Sequence, residues 1–168
     1  GFSTFRFDLT PAMKPDGNVL TVVVTNAISD IYPQTADFTF YGGLYRDVNF
    51  IEVNEAHFDL LKDGTDAVFV TPHKAGKTRV DLFPVDACGC EVTVALKDAE
   101  GTVVAEGKAA AEAHTVVKLD VANPHLWHSM DDPYLYTCEA TIVKDGEAVD
   151  TVSKYEIHFF NALYNITP

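Results

Sequence analysis

Apolar and polar residues alternate along most of this chain, and this alternation restricts the possible folds more than any other feature. Successive side chains of a β-strand point to opposite faces, so a period of two predicts strands with one buried face. After residue 55 the alternation predicts strands at 57–61, 67–71, 78–85, 91–97, 102–105, 115–119, 134–143 and 148–158. Turn-forming residues at 98–101 and 144–147 separate neighbouring strands. Short strands at this spacing predict an all-β, immunoglobulin-like β-sandwich.

Helical periodicity is scarcely visible. The alanine-rich segment 107–114 is the one helix candidate, but it is short and lacks capping residues. We therefore expect a loop or the flank of a strand there.

The first 53 residues have a less regular pattern. Strand-like segments at 5–9, 20–25 and 48–53 surround a turn cluster at 15–18 and a long loop from 26 to 37. These strands are too few for a sandwich, which has about seven. The chain begins with Gly1 and runs directly into strand-like sequence, which favours a segment cut from a longer protein. We interpret 1–53 as the C-terminal part of a larger β-domain, 54–160 as the complete sandwich and 161–168 as a tail.

Composition excludes two classes of partner. Twelve basic and 25 acidic residues give a formal net charge of -13, and such a surface repels nucleic acid and anionic membranes. No apolar run approaches the roughly 18 residues of a membrane span, and the N-terminus lacks the pattern of a secretory signal. The three cysteines do not form a disulfide framework, which favours reduced thiols and a cytoplasmic protein.

Three segments carry a resemblance to a known family. They read FRFDLT at 5–10 with VLTVVV at 19–24, then DFTFYGGLYRDV at 37–48, and finally NPHLW at 123–127 with DPYLY at 132–136. Together they resemble family 2 glycoside hydrolases of the β-galactosidase kind. The resemblance implies that the first two segments close a sugar-binding jelly-roll domain and that the third belongs to an immunoglobulin-like domain.

Most of the motif residues are interpreted as structural. The Gly-Gly pair permits a positive φ or a close backbone approach, and the bulky rings of the third segment suit a sandwich core. The residues concerned are Gly42, Gly43, Arg46, Asp47, Asn123, Pro124, Trp127, Tyr134 and Tyr136.

Asp37 is the candidate binding residue. The resemblance implies an aspartate that reaches the catalytic pocket and contacts a sugar hydroxyl and a monovalent cation, and the parent enzyme is also expected to bind magnesium. A carboxylate suits both contacts, since it accepts hydroxyl protons and is a hard oxygen ligand. The alternative is a loop aspartate that accepts hydrogen bonds from backbone N–H groups. No other cofactor is expected.

Catalytic residues are not expected in this chain. Glycoside hydrolysis needs two carboxyl groups, and the resemblance implies that both are glutamates on a (β/α)₈ barrel following the sandwich. Such a barrel needs at least about 200 residues. The expected function is therefore a non-catalytic scaffold for the missing barrel. At 155–158 the sequence YEIH departs from the family pattern, and we expect the tail to pair with another chain through Phe159, Phe160, Leu163 and Tyr164.

Two alternative functions stay open. A free-standing carbohydrate-binding module would bind a galactoside on a platform of Phe38, Phe40, Tyr41 and Tyr45. An exported immunoglobulin-like interaction module would serve adhesion. We also expect self-association, for example by exchange of N-terminal strands between two copies, because a cut jelly roll exposes bare strand edges that bind partners.

Overall fold

The computed structural model describes residues 4–27, 37 and 39–159, leaving aside the side chains of residues 155 and 156. Its strands lie between residues 57 and 157, and every strand pair is antiparallel, which confirms the predicted all-β fold. The strands are β1 (His57–Phe58), β2 (Val68–Pro72), β3 (Lys77–Leu82), β4 (Pro84–Val85), β5 (Glu91–Lys97), β6 (Val103–Ala110), β7 (Thr115–Asp120), β8 (Tyr136–Lys144) and β9 (Glu147–Ile157).

Two main sheets build the sandwich. One has the strand order β6-β5-β8-β9 and the other the order β2-β3-β7, while β1 and β4 form a short additional pair. The turn between β8 and β9 consists of Asp145 at φ 52° and Gly146 at φ 84°. Two consecutive positive φ angles match the twist of a tight hairpin, as the sequence predicted for this turn.

The core lies between the two main sheets and comes from alternate residues of each strand. In β5 and β8 every second side chain is buried, and the same holds for β3. The largest fully buried side chains are Phe58, Phe159, Leu82, Leu96, Ile142, Val68, Val80, Val92, Val94 and Cys138. Removing this apolar surface from water stabilises the fold by about 25 cal/mol per Å².

Strand β6 extends into the first half of the segment 107–114, which carried the helix candidate. A Cβ at Gly107 would lie 2.8 Å from Cγ1 of Val117 and 3.0 Å from Cδ2 of Leu119, so the two sheets approach each other closely here. The expectation that 107–114 is not a helix is confirmed. The strand continues to Ala110 because glycine and alanine leave room for β7.

The predicted strand 78–85 is two strands, because the backbone changes partner at Phe83. The N–H of Phe83 donates to the carbonyl of Ala67 at 3.1 Å, while its own carbonyl accepts the N–H of Asp59 at 2.9 Å. Strand β3 therefore ends in one sheet and β4 pairs with β1 in another. Of the predicted strand 57–61 only His57–Phe58 is a strand. The chain turns after it, because the carboxylate of Asp59 accepts the N–H of Leu61.

Polar side chains connect the edge strand β9 to residues outside its own sheet. The carboxylate of Asp150 accepts the N–H of Phe58 at 2.8 Å, and Lys154 forms an ion pair with Asp66 at 2.5 Å. The amide of Asn54 also donates to the carbonyl of Val149 at 2.5 Å. Charges that point inward from an edge strand are a common obstacle to pairing with further strands.

The described residues between 8 and 52 form a separate compact unit, whereas residues 4–7 group with 53–159. Within the described part of 8–52 the one regular element is a 3-10 turn at Thr10–Ala12. The strands predicted at 5–9, 20–25 and 48–53 are therefore wrong for this chain. An isolated extended segment is not stable without neighbouring strands to pair with. The jelly-roll origin of 1–53 and the proposed domain boundaries stay predictions.

Among the residues described, no helix is long and apolar enough to cross a membrane.

Candidate functional site

Asp37 lies at an exposed bend. A single carboxylate supplies one or two oxygen ligands, whereas a hard cation takes about six or more. Within residues 4–27, 37 and 39–159 no group of three or more His, Cys, Asp or Glu side chains is arranged so that it could hold a metal ion. The role of Asp37 stays a prediction.

The Gly-Gly pair has one positive φ angle and one close side-chain neighbour. Gly43 has φ 100°, which disfavours other residues, and a Cβ at Gly42 would lie 2.7 Å from Cβ of Asn26. The side-chain amide of Asn26 donates to the carbonyl of Phe40 at 2.8 Å and thereby connects two positions that are 14 residues apart in sequence.

The remaining residues of the second motif are exposed. The guanidinium of Arg46 lies 5.4 Å from the ring centre of Tyr45, a cation–π contact, and Asp47 is exposed. Of the aromatic platform, Tyr41 is 83% and Tyr45 is 65% exposed, and Phe40 is half-buried. Phe38 lies outside the described residues.

The third motif spans the connection between β7 and β8. Tyr136 begins β8 with its side chain buried, and its hydroxyl accepts the N–H of His125 at 2.7 Å. Burial is the main reason that the pKa of Tyr136 is raised. The ring contacts Tyr134 and Phe159 edge-on, with centroid distances of 5.1 and 5.3 Å. Tyr136 thus anchors the beginning of β8 in the core.

Tyr134 connects this loop to the turn after β5. Its ring stacks on His125 with centroids 3.9 Å apart, and its hydroxyl accepts the N–H of Ala99 at 3.2 Å. His125 in turn contacts Asp132 through Nε2 and Oδ2, 2.6 Å apart. His125 therefore has a structural role in this loop.

Trp127 fixes the chain beyond β9. Its backbone N–H donates to the carbonyl of Phe159 at 2.9 Å, and its half-buried ring lies 5.7 Å from that of His158. Phe159 is 1% exposed and forms an isolated parallel bridge with Leu126. The expectation that Phe159 is free to pair with another chain is therefore wrong, because the core buries it. Phe160, Leu163 and Tyr164 lie outside the described residues.

Asn123 and Pro124 shape the beginning of the same loop. Asn123 is exposed with φ 51°, in the left-handed region that asparagine tolerates. Pro124 packs against Gly76, where a Cβ would lie 3.2 Å from its Cδ and would overlap the carbonyl of Val121. These contacts explain the motif by packing.

A charged cluster that the sequence did not reveal occupies the outer face of the three-stranded sheet. Arg79 donates two hydrogen bonds to Asp81, at 2.7 and 2.6 Å, and His114 Nε2 contacts the same carboxylate at 2.7 Å. The Arg79 hydrogen bond is the main cause that lowers the pKa of Asp81 to about 2. The His114 ring also stacks on Phe83 at 4.6 Å.

The carboxylate of Asp81 is ionised at neutral pH, because its pKa is lowered to about 2, so the cluster suits a structural role better than proton transfer. Arg79 and Asp81 are two residues apart on one strand, so their shared face could be recognised from the period of two. The contribution of His114 depends on tertiary structure, since it is 33 residues away in sequence.

The comparisons with known proteins agree on one family. A family model described as "Glycosyl hydrolases family 2" matches residues 66–155. A β-glucuronidase of Bacteroides fragilis is 29% identical over 92% of this chain and 24% of its own length. A β-galactosidase of Bacteroides ovatus is 31% identical over 89% of this chain and 18% of its own length.

A solved structure extends the likeness to three dimensions. The crystal structure of an FMN-binding β-glucuronidase from Facaelibacterium prausnitzii L2-6 has 37% sequence identity and a TM-score of 0.66, over 74% of this chain and 20% of that chain. This chain spans less than a quarter of the length of each of these three proteins.

Proposed function

Since the chain belongs to glycosyl hydrolases family 2, we propose that it is the non-catalytic sandwich portion of such an enzyme and supports a (β/α)₈ catalytic barrel. The observation that carries this proposal is the place of the family match. It covers residues 66–155, which form the sandwich from β2 to near the end of β9.

The carboxylates of the sandwich support a scaffolding role. A retaining glycosidase needs two carboxyl groups about 5 Å apart, one of them with a raised pKa so that it can act as an acid. The pKa of Asp81 is instead lowered to about 2, by Arg79 before other causes. Asp66 and Asp150 connect the sheets through Lys154 and the backbone of Phe58.

An activity measurement tests the non-catalytic part of the proposal. The purified chain is assayed with chromogenic β-galactosides and β-glucuronides, the two substrate classes that the relatives' names suggest. We expect no turnover above a buffer control. Turnover that follows this chain through purification, and that is lost in a core variant such as Phe58→Ala, would contradict the proposal.

A chimera tests the scaffolding part. Residues 54–159 replace the matching segment of the Bacteroides fragilis β-glucuronidase, and kcat and KM are measured on a β-glucuronide. We expect the chimera to keep substantial activity, and Phe58→Ala in the chimera to remove it together with thermal stability. A chimera that folds as stably as the parent but is inactive would count against a purely supporting role.

We further propose that Asp37 contributes to sugar and monovalent cation binding in the whole enzyme, with magnesium bound elsewhere. In a chimera carrying residues 4–159, Asp37→Ala should raise KM and weaken the dependence on a monovalent cation. Asp16→Ala is the matched control, because Asp16 is also exposed in the unit 8–52. Equal effects of the two substitutions would leave Asp37 as an ordinary loop residue.

A carbohydrate-binding module is the second candidate, favoured by the exposure of Tyr41 and Tyr45. Exposed aromatic rings can stack on sugar faces. Calorimetric titration with galactosides should then give heat that Tyr41→Ala reduces. No heat at millimolar protein would exclude this candidate.

Self-association and a cytoplasmic location complete the proposal. Exposed apolar side chains between residues 5 and 53 favour association, and a light-scattering mass of one chain at every concentration would exclude it.

The cytoplasmic location is proposed from the cysteines. Free Cys88, Cys90 and Cys138 fit a reducing compartment. Burial raises the pKa of Cys138 to about 12, so this thiol is inert. Recovery of the native protein from extracellular fractions alone would contradict the location.

A further inference from the structure

Residues 4–7 belong to the same compact unit as the sandwich, although they precede the separate unit 8–52. They contact the turn at residues 59–67, which connects β1 to β2 and which we call the 59–67 turn. The contact crosses more than 50 residues of sequence, so local propensity cannot explain it.

The 59–67 turn is strongly curved. Asp63, Gly64 and Ala67 have φ angles of 53°, 66° and 58°. This curvature directs the carbonyls of Leu60 and Thr65 towards one point. Converging carbonyl oxygens favour a cationic donor, since several acceptors can share its charge.

Arg6 occupies that point. Its Nη1 donates to the carbonyl of Leu60 at 3.1 Å and to that of Thr65. One guanidinium nitrogen carries two hydrogens, so it satisfies both acceptors, whereas a lysine would lack the planar geometry.

Gly64 provides an independent sign of the same contact. A Cβ at this position would lie 3.0 Å from the carbonyl oxygen of Thr4. The backbone of residue 4 therefore lies directly against the turn, and the glycine is needed there for space as well as for its φ.

We infer that the 59–67 turn is a binding site for an arginine-bearing segment and that its occupant is residues 4–7 of the same chain. The chain on both sides of residues 8–52 is then held by the sandwich. This function is independent of whether the sandwich supports a catalytic barrel, because it involves residues of this chain alone.

Limited proteolysis of the full chain tests the inference, because trypsin cleaves after arginine only when the side chain is released from the protein. The rate of cleavage at Arg6–Phe7 is divided by the rate in a free peptide of the same sequence. The exposed Arg46–Asp47 bond is normalised in the same way. We expect the normalised rate at Arg6 to be about tenfold lower, the factor that corresponds to 1.4 kcal/mol.

Two glycine variants provide the matched comparison. Gly64→Asn adds a Cβ against Thr4 while asparagine tolerates the positive φ. Gly146→Asn makes the same change at φ 84°, where nothing lies within 4 Å. Gly64→Asn should accelerate cleavage after Arg6 about tenfold, and Gly146→Asn should not. Arg6→Lys keeps a cleavage site but should also accelerate it. Fluorescence of Trp127, the single tryptophan, reports whether each sandwich remains folded.

Equal normalised rates at Arg6 and Arg46 in the unmodified chain would overturn the inference, as would equal effects of the two glycine variants. Protection of Arg6 that disappears on dilution would also overturn it, because a second copy would then be the occupant. Activity of the whole enzyme enters none of these measurements.

Discussion

The sandwich and the unit 8–52 differ in structure, although the sequence predicts strands in both. Both contain alternating apolar residues, but Phe58 in the sandwich is 0% exposed while Phe50 is 72% exposed. In the sandwich each strand from β2 to β9 has a hydrogen-bonded neighbour that continues its sheet. The described part of 8–52 contains no strand. Alternation therefore indicates which face a strand would bury, whereas burial itself requires a neighbouring strand.

The largest expected difference between the two regions concerns their phenylalanines. Phe58→Ala should lower the free energy of unfolding by about 3–5 kcal/mol, because it leaves a cavity in the core. Phe50→Ala should change it by less than about 0.5 kcal/mol. Urea denaturation followed by Trp127 fluorescence measures both. A large effect of Phe50→Ala would show that 8–52 contributes to the folded core.

The glycines give a sharper comparison. Gly107→Ala adds a Cβ against Val117 and Leu119, where β6 meets β7, and should cost about 1–3 kcal/mol. Gly42→Ala adds the same atom against the exposed Asn26, and the sandwich should lose less than about 0.5 kcal/mol. Denaturation of the two variants side by side provides the measurement. Similar costs would mean that the packing around Gly107 can relax.

The hydroxyl groups of one buried and one exposed tyrosine provide the next comparison between the sandwich and the unit 8–52. Tyr136→Phe removes the acceptor of the His125 N–H and should destabilise the sandwich by about 1 kcal/mol. Tyr45→Phe changes a side chain that is 65% exposed and should have no measurable effect. Thermal unfolding of both variants tests this. No change for Tyr136→Phe would indicate that water replaces the lost acceptor.

The smallest expected effect depends on pH. The pKa of Asp81 is about 2 in the folded chain against an ordinary value of 3.8, mainly because of Arg79. A lowered pKa stabilises the fold above the ordinary pKa, and this stabilisation is lost as the pH falls from about 4 to 2. Asp81→Asn should therefore reduce stability at neutral pH and flatten this part of the acid profile.

Asp47→Asn is the control for this pH dependence, because Asp47 is exposed in the unit 8–52. Its unfolding midpoint should follow that of the unmodified chain at every pH. Parallel acid profiles for all three proteins would show that the Arg79–Asp81 pair does not contribute to acid stability.

Features of the candidate site could be predicted from the sequence only where they depend on residue type and on neighbouring residues. The positive φ of Gly43 and the buried ring of Tyr136 follow from residue type and motif. The hydrogen bond from the His125 N–H to the Tyr136 hydroxyl and the contact of His114 with Asp81 require the folded loop and sheet. The role of Asp37 stays a prediction, and the structure describes only its exposed position.

The sequence by itself determined the fold class, the family resemblance and the strands whose two faces differ most in polarity. Strand β5 was predicted at its exact bounds, and β7 within one residue, because each alternates without interruption. Tertiary structure decided which alternating segments became strands, where the backbone changes sheet at Phe83 and where Arg6 binds. The physical reason is that hydrogen-bond partners and burial are supplied by residues distant in sequence, and alternation contains no information about them.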